Sequence, residues 1–325
     1  MEFNIVALDS LIAAGGDLSW DRFREMGNFR EFESTDESNL SEHAADADAV
    51  IVNKVRLDAA ALDRLPRLKY IGVIATGFDN VDIAEATRRG ITVTNVPDYS
   101  SDSVAQTVFA LLLEATNHVA EYNCRVKAGE WTQIPYVQAV AVPELRITEL
   151  AGKTLAIYGL GHIGMKVAHI GHAFGMKIVS PTSRTKDSLP EWIEKVDSVD
   201  EMFGRADVLS LNAPLTGDSR HIVNRDTLRM MKPSSIIINT SRGGLVDTAA
   251  LNEALLNREI AFCCVDVLEK EPPAEDNPLL RNPFCIVTPH VAWDSLEARK
   301  RLMDICADNL EMFLNNQPQN VVNTF

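Results

Sequence analysis

The amino-acid sequence predicts an α/β protein with two doubly wound, parallel-sheet domains and a cleft between them. Three observations predict it. Short apolar runs alternate with helical patterns, as they do when crossover helices cover both faces of a parallel sheet. That alternation stops after residue 99 and restarts at Lys153. The 325 residues, 46% of them hydrophobic, suffice for more than one core.

In the first series NIVAL, AVIVN, KYIGVIA and ITVTN read as strands, with DAAALDRL and DIAEATRRG as helices between them. SSDSVAQTVFALLLEATNHVAEYNCRVKAG reads as one long, mostly apolar helix bridging the two series. QIPYVQAVAVPELRITEL has two prolines and no period, so a surface loop is expected. In the second series KTLAIYGLG, MKIVS, DVLSLN, SIIINT, AFCCVDV and FCIVTP are the strands. VDTAALNEALLNREI is a helix that Asp247 can cap. The amphipathic SLEARKRLMDICADNLEMFLNN follows the last strand and is expected to cross back to the first domain. The predicted domains are therefore residues 1–99 with 295–325, and residues 100–294.

Composition limits the partners. The net charge is -15 and the pI about 4.9. An acidic surface repels phosphate backbones and anionic lipids, so neither nucleic acid nor membrane is expected, and no apolar run approaches a bilayer-spanning length. Small anions remain open, because a local cationic pocket can capture them. Five cysteines without a C-x-x-C pair argue against a disulfide framework or a cysteine metal site. The start, MEFNIVALDS, does not read as a signal peptide, and the expectation is a cytoplasmic protein.

The strand TLAIY runs into GLGHIG, which contains Gly159, Gly161, His162, Ile163 and Gly164, and then into a helix. The pattern alone is weak, with a tight turn as its plain alternative, but strand, glycines, helix and next strand follow in the right order. Gly159 permits the turn, Gly161 lets a pyrophosphate approach the backbone, and Gly164 lets the helix lie close to the strand. The helix N-terminus then offers free N–H groups to the phosphates. This is a Rossmann-like dinucleotide signature. AGKT just upstream mimics a phosphate-binding loop, but Ile147 stands where that motif requires glycine. After KIVS no acid is placed to hold the adenosine ribose; Pro181, Thr182, Ser183 and Arg184 follow instead. A missing acid with Arg184 and Ser183 nearby favours the 2′-phosphate of NADP(H). NAD(H) with a merely solvated basic turn is the alternative.

A dinucleotide fold needs a catalytic set, and three polar residues lie just past strands: Arg242 after SIIINT, Glu271 after AFCCVDV and His290 after FCIVTP. Ligands in open α/β sheets bind at the carboxyl ends of strands, so these three can converge. Each alone has a bland reading, as a turn or solvated residue. Together they supply what reduction of a 2-keto acid requires. Arg242 can grip carboxylate and carbonyl oxygens with fixed donors. His290 can give a proton to the developing alkoxide. Glu271 can pair with the imidazolium and hold its orientation.

GLGHIG, NAPLT, INTSRGGLVD, DVLEKEP and TPHVAW, with ATGFDNVD and SVAQ in the first half, resemble the D-isomer-specific 2-hydroxyacid dehydrogenases over nearly the whole chain. The resemblance implies that the family's catalytic Arg, Glu and His correspond to Arg242, Glu271 and His290. It implies that N–H groups near Thr76 and Gly77 bind the substrate carboxylate, alongside Arg242 and His290. It places Asp266 and Thr240 near the nicotinamide carboxamide and ribose, and Ala213 and Pro214 at the cofactor's other edge. It further implies a substrate lobe built from the first domain and last helix, and a homodimer formed through the dinucleotide lobe. ATGFDNVD, SDSVAQ and PHVAWDSLEAR are most similar to the glycerate dehydrogenase, or hydroxypyruvate reductase, subgroup, and Trp293 beside His290 is typical of it. The chain stops at Phe325, so the added regulatory domain of many 3-phosphoglycerate dehydrogenases is expected to be absent. Asn212 departs from the usual His, and Thr182 from the Asp of NAD users. Some relatives with the same triad are dinucleotide-sensing corepressors, so a non-catalytic sensor is one alternative reading, and a D-2-hydroxyacid dehydrogenase for another keto acid is the other.

Overall fold

The computed structural model describes residues 3–133, 135 and 145–324. The chain divides into two compact units, residues 1–100 with 294–325, and residues 101–293.

The first unit is a five-stranded sheet. Its strands are β1 (Asn4–Ala7), β2 (Asn28–Glu31), β3 (Ala49–Val52), β4 (Tyr70–Val73) and β5 (Thr92–Thr94). They run parallel in the order β2-β1-β3-β4-β5. The predicted helices are present as Ala59–Asp63 and Ile83–Arg88, each capped by an aspartate, Asp58 and Asp82. The C-terminal helix, Leu296–Leu314, belongs to this unit. Phe313 packs on Tyr70 of β4, and Arg301 and Asn309 donate to the carbonyls of Tyr99 and Asn95. Strand order reverses at β1, which opens a crevice between the ends of β1 and β3, where such sheets usually take a phosphate. Here the buried carboxylate of Asp9 fills it, accepting from the N–H groups of Asn53, Lys54 and Val55. Burial raises the pKa of Asp9 and these backbone bonds lower it, with burial prevailing.

The second unit is a seven-stranded parallel sheet: β6 (Thr154–Tyr158), β7 (Lys177–Ser180), β8 (Ile193–Lys195), β9 (Val208–Leu211), β10 (Ile236–Asn239), β11 (Phe262–Val265) and β12 (Cys285–Val287). The order is β12-β11-β10-β9-β6-β7-β8. β9, β10 and most of β11 are buried, as their mostly apolar runs require. Here the order reverses at β6, so the crevice lies between the ends of β6 and β9.

Several expectations are corrected. The predicted long bridging helix is two helices, Ser101–Asn117 and Val119–Lys127. They are separated by His118, which adopts φ 52° and ψ 39°, a left-handed conformation that ends the first helix. The helix expected from VDTAALNEALLNREI stops at Leu256, although Asp247 caps its start by accepting from Ala249 and Ala250. Strands β2 and β8 were not foreseen. NFRE and IEK are short, polar edge strands without an apolar run. Most of the segment expected as a proline-containing surface loop lies outside the described residues. Among the described residues, no helix is long and apolar enough to cross a membrane.

Candidate active site

The turn after β6 has the geometry that its glycines predict. Gly159 takes φ 95°, and a Cβ there would lie 2.6 Å from the Ala213 nitrogen. At Gly164 a Cβ would lie 2.1 Å from the Gly159 carbonyl oxygen. Only glycine allows the helix His162–Ala173 to approach β6 so closely. Gly161 differs: its φ is an ordinary -83°, and a Cβ there would meet nothing within 4 Å. The open side of the turn is therefore at Gly161, next to the exposed His162 at the helix start, while Ile163 packs into the core.

The neighbouring strand ends carry Ala213, Pro214 and Thr240. Asn239 pairs with Leu211, so Thr240 and Asn212 follow side by side. Thr240 Oγ1 and Asn212 Oδ1 are both buried without a hydrogen-bond partner. Buried polar atoms are rarely left so. These unpartnered atoms, beside a turn with open space at Gly161, fit a polar ligand with hydroxyl and amide groups, as a dinucleotide has. After β7, Ser183 and Arg184 form an exposed turn. Lys195 of β8 donates to the Arg184 carbonyl at 2.9 Å, adding a second cation there.

The catalytic candidates converge within this unit. His290 Nδ1 lies 2.6 Å from Glu271 Oε2. Glu271 Oε1 accepts from the Leu268 N–H at 3.1 Å, which fixes the carboxylate at both ends. His290 itself sits at φ 57°, an uncommon conformation outside glycine. Its carbonyl accepts from Trp293 Nε1 at 3.0 Å. Arg242 precedes a tight turn, Gly243–Leu245. A Cβ on Gly243 would fall 1.9 Å from the Leu268 carbonyl carbon, so this turn presses on the backbone that carries Glu271. The Arg242 guanidinium donates to the Ser241 carbonyl at 2.9 Å and is half-buried.

Asp266 has a task that the sequence did not reveal. Its buried carboxylate accepts from Thr288 Oγ1 at 2.5 Å, Val291 N at 3.0 Å and Ala292 N at 2.8 Å. It thereby ties β11 to the loop bearing His290, and its position just past a buried strand was the only available signal. Thr76 and Gly77 lie in the first unit, after β4. Thr76 Oγ1 donates to the Val96 carbonyl, and the Thr76 carbonyl accepts from Asn95 Nδ2, both at 2.8 Å.

Comparison with known proteins identifies the family. Residues 109–292 match the model of the D-isomer specific 2-hydroxyacid dehydrogenase NAD binding domain. The chain belongs to the D-isomer specific 2-hydroxyacid dehydrogenase family. It is thus an NAD(P)-dependent D-2-hydroxyacid dehydrogenase, with an NAD-binding domain within its second unit. This dehydrogenase is 37% identical to the hydroxypyruvate reductase of Blautia hydrogenotrophica, over 98% of this chain and 99% of that one. It is 38% identical to the glycerate dehydrogenase of Methylorubrum extorquens, over 94% and 95%. Among solved structures it resembles the NADPH-dependent glyoxylate/hydroxypyruvate reductase of Sinorhizobium meliloti in complex with NADP and malonate. The TM-score is 0.85 at 29% identity, covering 99% and 97% of the two chains.

Proposed function

We propose that this dehydrogenase reduces hydroxypyruvate and glyoxylate, using NADPH in preference to NADH. The observation that carries the chemistry is the His290–Glu271 pair at 2.6 Å, on a loop against which the Arg242 turn is packed. Arg242 holds the substrate's carboxylate and carbonyl oxygens. In the first unit, the N–H groups of Thr76 and Gly77 donate to no main-chain carbonyl among the described residues, and they suit a substrate carboxylate. Bound NAD(P)H supplies the hydride. His290 gives the Nε2 proton of its imidazolium to the alkoxide as the carbonyl is reduced. Its Nδ1–H stays on the ring, donating to Glu271, and so holds the imidazole in orientation throughout. Gly159, Gly161, His162, Ile163 and Gly164 cradle the pyrophosphate. Thr240 and Asp266 border the nicotinamide half, and Ala213 and Pro214 the cofactor's other edge.

The substrate reading draws on the relatives' names and is tested by a reductase panel of hydroxypyruvate, glyoxylate, pyruvate and bulkier keto acids with both cofactors. Slow turnover on all of them with tight cofactor binding would instead identify a dinucleotide sensor. The NADPH preference rests on Ser183, Arg184 and the absent acid at Thr182. A charge-assisted contact contributes about 1.5–3 kcal/mol, roughly ten- to a hundredfold, and solvent and salt reduce it at this exposed turn. Thr182→Asp with Arg184→Ala should reverse the preference. NADH used better by the wild type, with Arg184→Ala leaving the ratio unchanged, would make this a solvated loop. We also assign a cytoplasmic homodimer. Val119, Val126, Trp131 and Ile147 are all exposed close together in sequence, more apolar surface than a solvated segment needs, and light scattering gives the test.

A further inference from the structure

The second unit holds another histidine–glutamate pair, its glutamate two residues from the catalytic one and both its members outside the roles assigned above. His221 Nε2 lies 2.6 Å from Glu269 Oε1. Arg220 approaches the same oxygen at 3.6 Å. Thr248 Oγ1, at the start of the helix Thr248–Leu256, donates to Glu269 Oε2 at 3.3 Å. Both carboxylate oxygens of Glu269 are thus held, by side chains from two different segments.

The backbone around His221 is as firmly placed. It adopts φ 51°, a conformation that a residue with a side chain keeps only when its surroundings impose it. Its N–H donates to the Gly244 carbonyl at 2.9 Å, and its own carbonyl accepts from Asn224 Nδ2 at 2.9 Å. Val223 N continues the contact by donating to the Leu245 carbonyl. Residues 221–223 therefore run along the turn that follows Arg242. On its other side that turn presses on the Leu268–Glu269 peptide, where a Gly243 Cβ would overlap. Leu268 N in turn holds Glu271 Oε1, and Glu271 Oε2 holds His290.

We propose that His221 and Glu269 form a clasp that positions the Glu271 loop against the Arg242 turn. They act through those residues and do not touch the substrate. The proposal rests on the catalytic roles given above to Arg242, Glu271 and His290. Glu269 follows Leu268 and lies two residues from Glu271, so releasing its side chain loosens the backbone whose Leu268 N–H fixes the catalytic carboxylate. A displacement of about 1 Å at such a site can lower turnover by up to roughly a hundredfold.

The test compares His221→Ala, Glu269→Ala, the double variant and His221→Gln, whose amide can still donate to Glu269. The readouts are kcat, KM for NADPH and amide hydrogen exchange of the peptide spanning residues 268–271. Each alanine variant should lower kcat about tenfold with KM for NADPH unchanged, and the double variant should fall no further, because coupled residues are not additive. His221→Gln should recover most of the loss, and exchange at 268–271 should rise only in the alanine variants. Turnover within about twofold of wild type and unchanged exchange would overturn the clasp, as would additive losses. A loss of melting temperature alone would do so too. If a single alanine variant does not fold, the Glu269→Gln and His221→Gln exchange rates decide, since both keep a hydrogen-bonding group. A wild type that reduces no keto acid would sink the catalytic reading, while the exchange measurement would still decide whether the clasp holds the loop.

Discussion

Gly161→Ala and Gly164→Ala should fail in opposite ways. A Cβ at Gly164 would sit 2.1 Å from the Gly159 carbonyl oxygen and 3.3 Å from Ile157 Cγ2. A carbon–oxygen contact needs roughly 3.3 Å, so the helix must retreat by about 1.2 Å. Both obstacles are in β6 or its turn, and the helix is packed on the helix Ser101–Asn117 as well, so nothing flexible can yield. Overpacking of this kind costs about 1–3 kcal/mol. In a unit of this size that lowers the melting temperature by roughly 2–12 °C. Gly161→Ala meets no atom within 4 Å and keeps an ordinary φ of -83°. The methyl reduces unfolded-chain entropy by about as much as a slightly poorer helix cap costs, so folding stability should change by less than about 1 kcal/mol. Its methyl occupies the open space where a pyrophosphate would lie. NADPH affinity should therefore fall at least about tenfold, or 1.4 kcal/mol. Calorimetric melting and fluorescence titration with NADPH separate the two effects. If Gly161→Ala binds NADPH as tightly as wild type, the phosphates do not approach the backbone there. If Gly164→Ala melts unchanged, the helix is not pinned by that contact.

His290→Gln should lower kcat by about 10²–10⁴-fold and leave NADPH binding nearly intact, because the lost proton transfer belongs to the transition state; steady-state rates beside a binding titration check this. Arg242→Lys keeps the charge and loses the planar fork, so KM for the keto acid should rise and kcat fall. Values for both near wild type would put the substrate carboxylate elsewhere. Hydrogen bonds from Arg88 and then Arg89 lower the Glu85 pKa from 4.5 to about 2. The stabilisation from that pair should be complete above about pH 4.5 and vanish as pH falls toward 2, because the unfolded state takes up the proton first. A carboxyl NMR titration with a midpoint near 4.5 would refute it.

The fold was legible where hydrophobic period and position agree. IIIN, FCCV and VLSL read as buried strands, and residues placed just past parallel strands gather at one edge of the sheet. That logic singled out Arg242, Glu271 and His290 before any geometry was known. It failed where a strand has no apolar run: NFRE and IEK are held at sheet edges by main-chain bonds, which leave no mark on composition. It failed again at His118, because a left-handed residue in an otherwise helical pattern resembles any other polar position. The fastening role of Asp266 and the His221–Glu269 contact were equally hidden. Each joins segments distant in sequence, His221 to Glu269 across 48 residues, and only the fold brings them together.

The two sheets also explain why one protein can contain two doubly wound units and only one dinucleotide signature. Both reverse strand order beside a crevice, and both present main-chain N–H groups there. In the first unit those of Asn53, Lys54 and Val55 are already taken by the Asp9 carboxylate, a built-in anion that no phosphate could join without repulsion. In the second unit no acid follows β6. The turn has glycines instead, Gly161 opens onto free space, and Thr240 and Asn212 keep buried polar atoms unpaired. In this protein the carboxylate after β1 closes the first crevice to a phosphate, and the glycines after β6 leave the second one open.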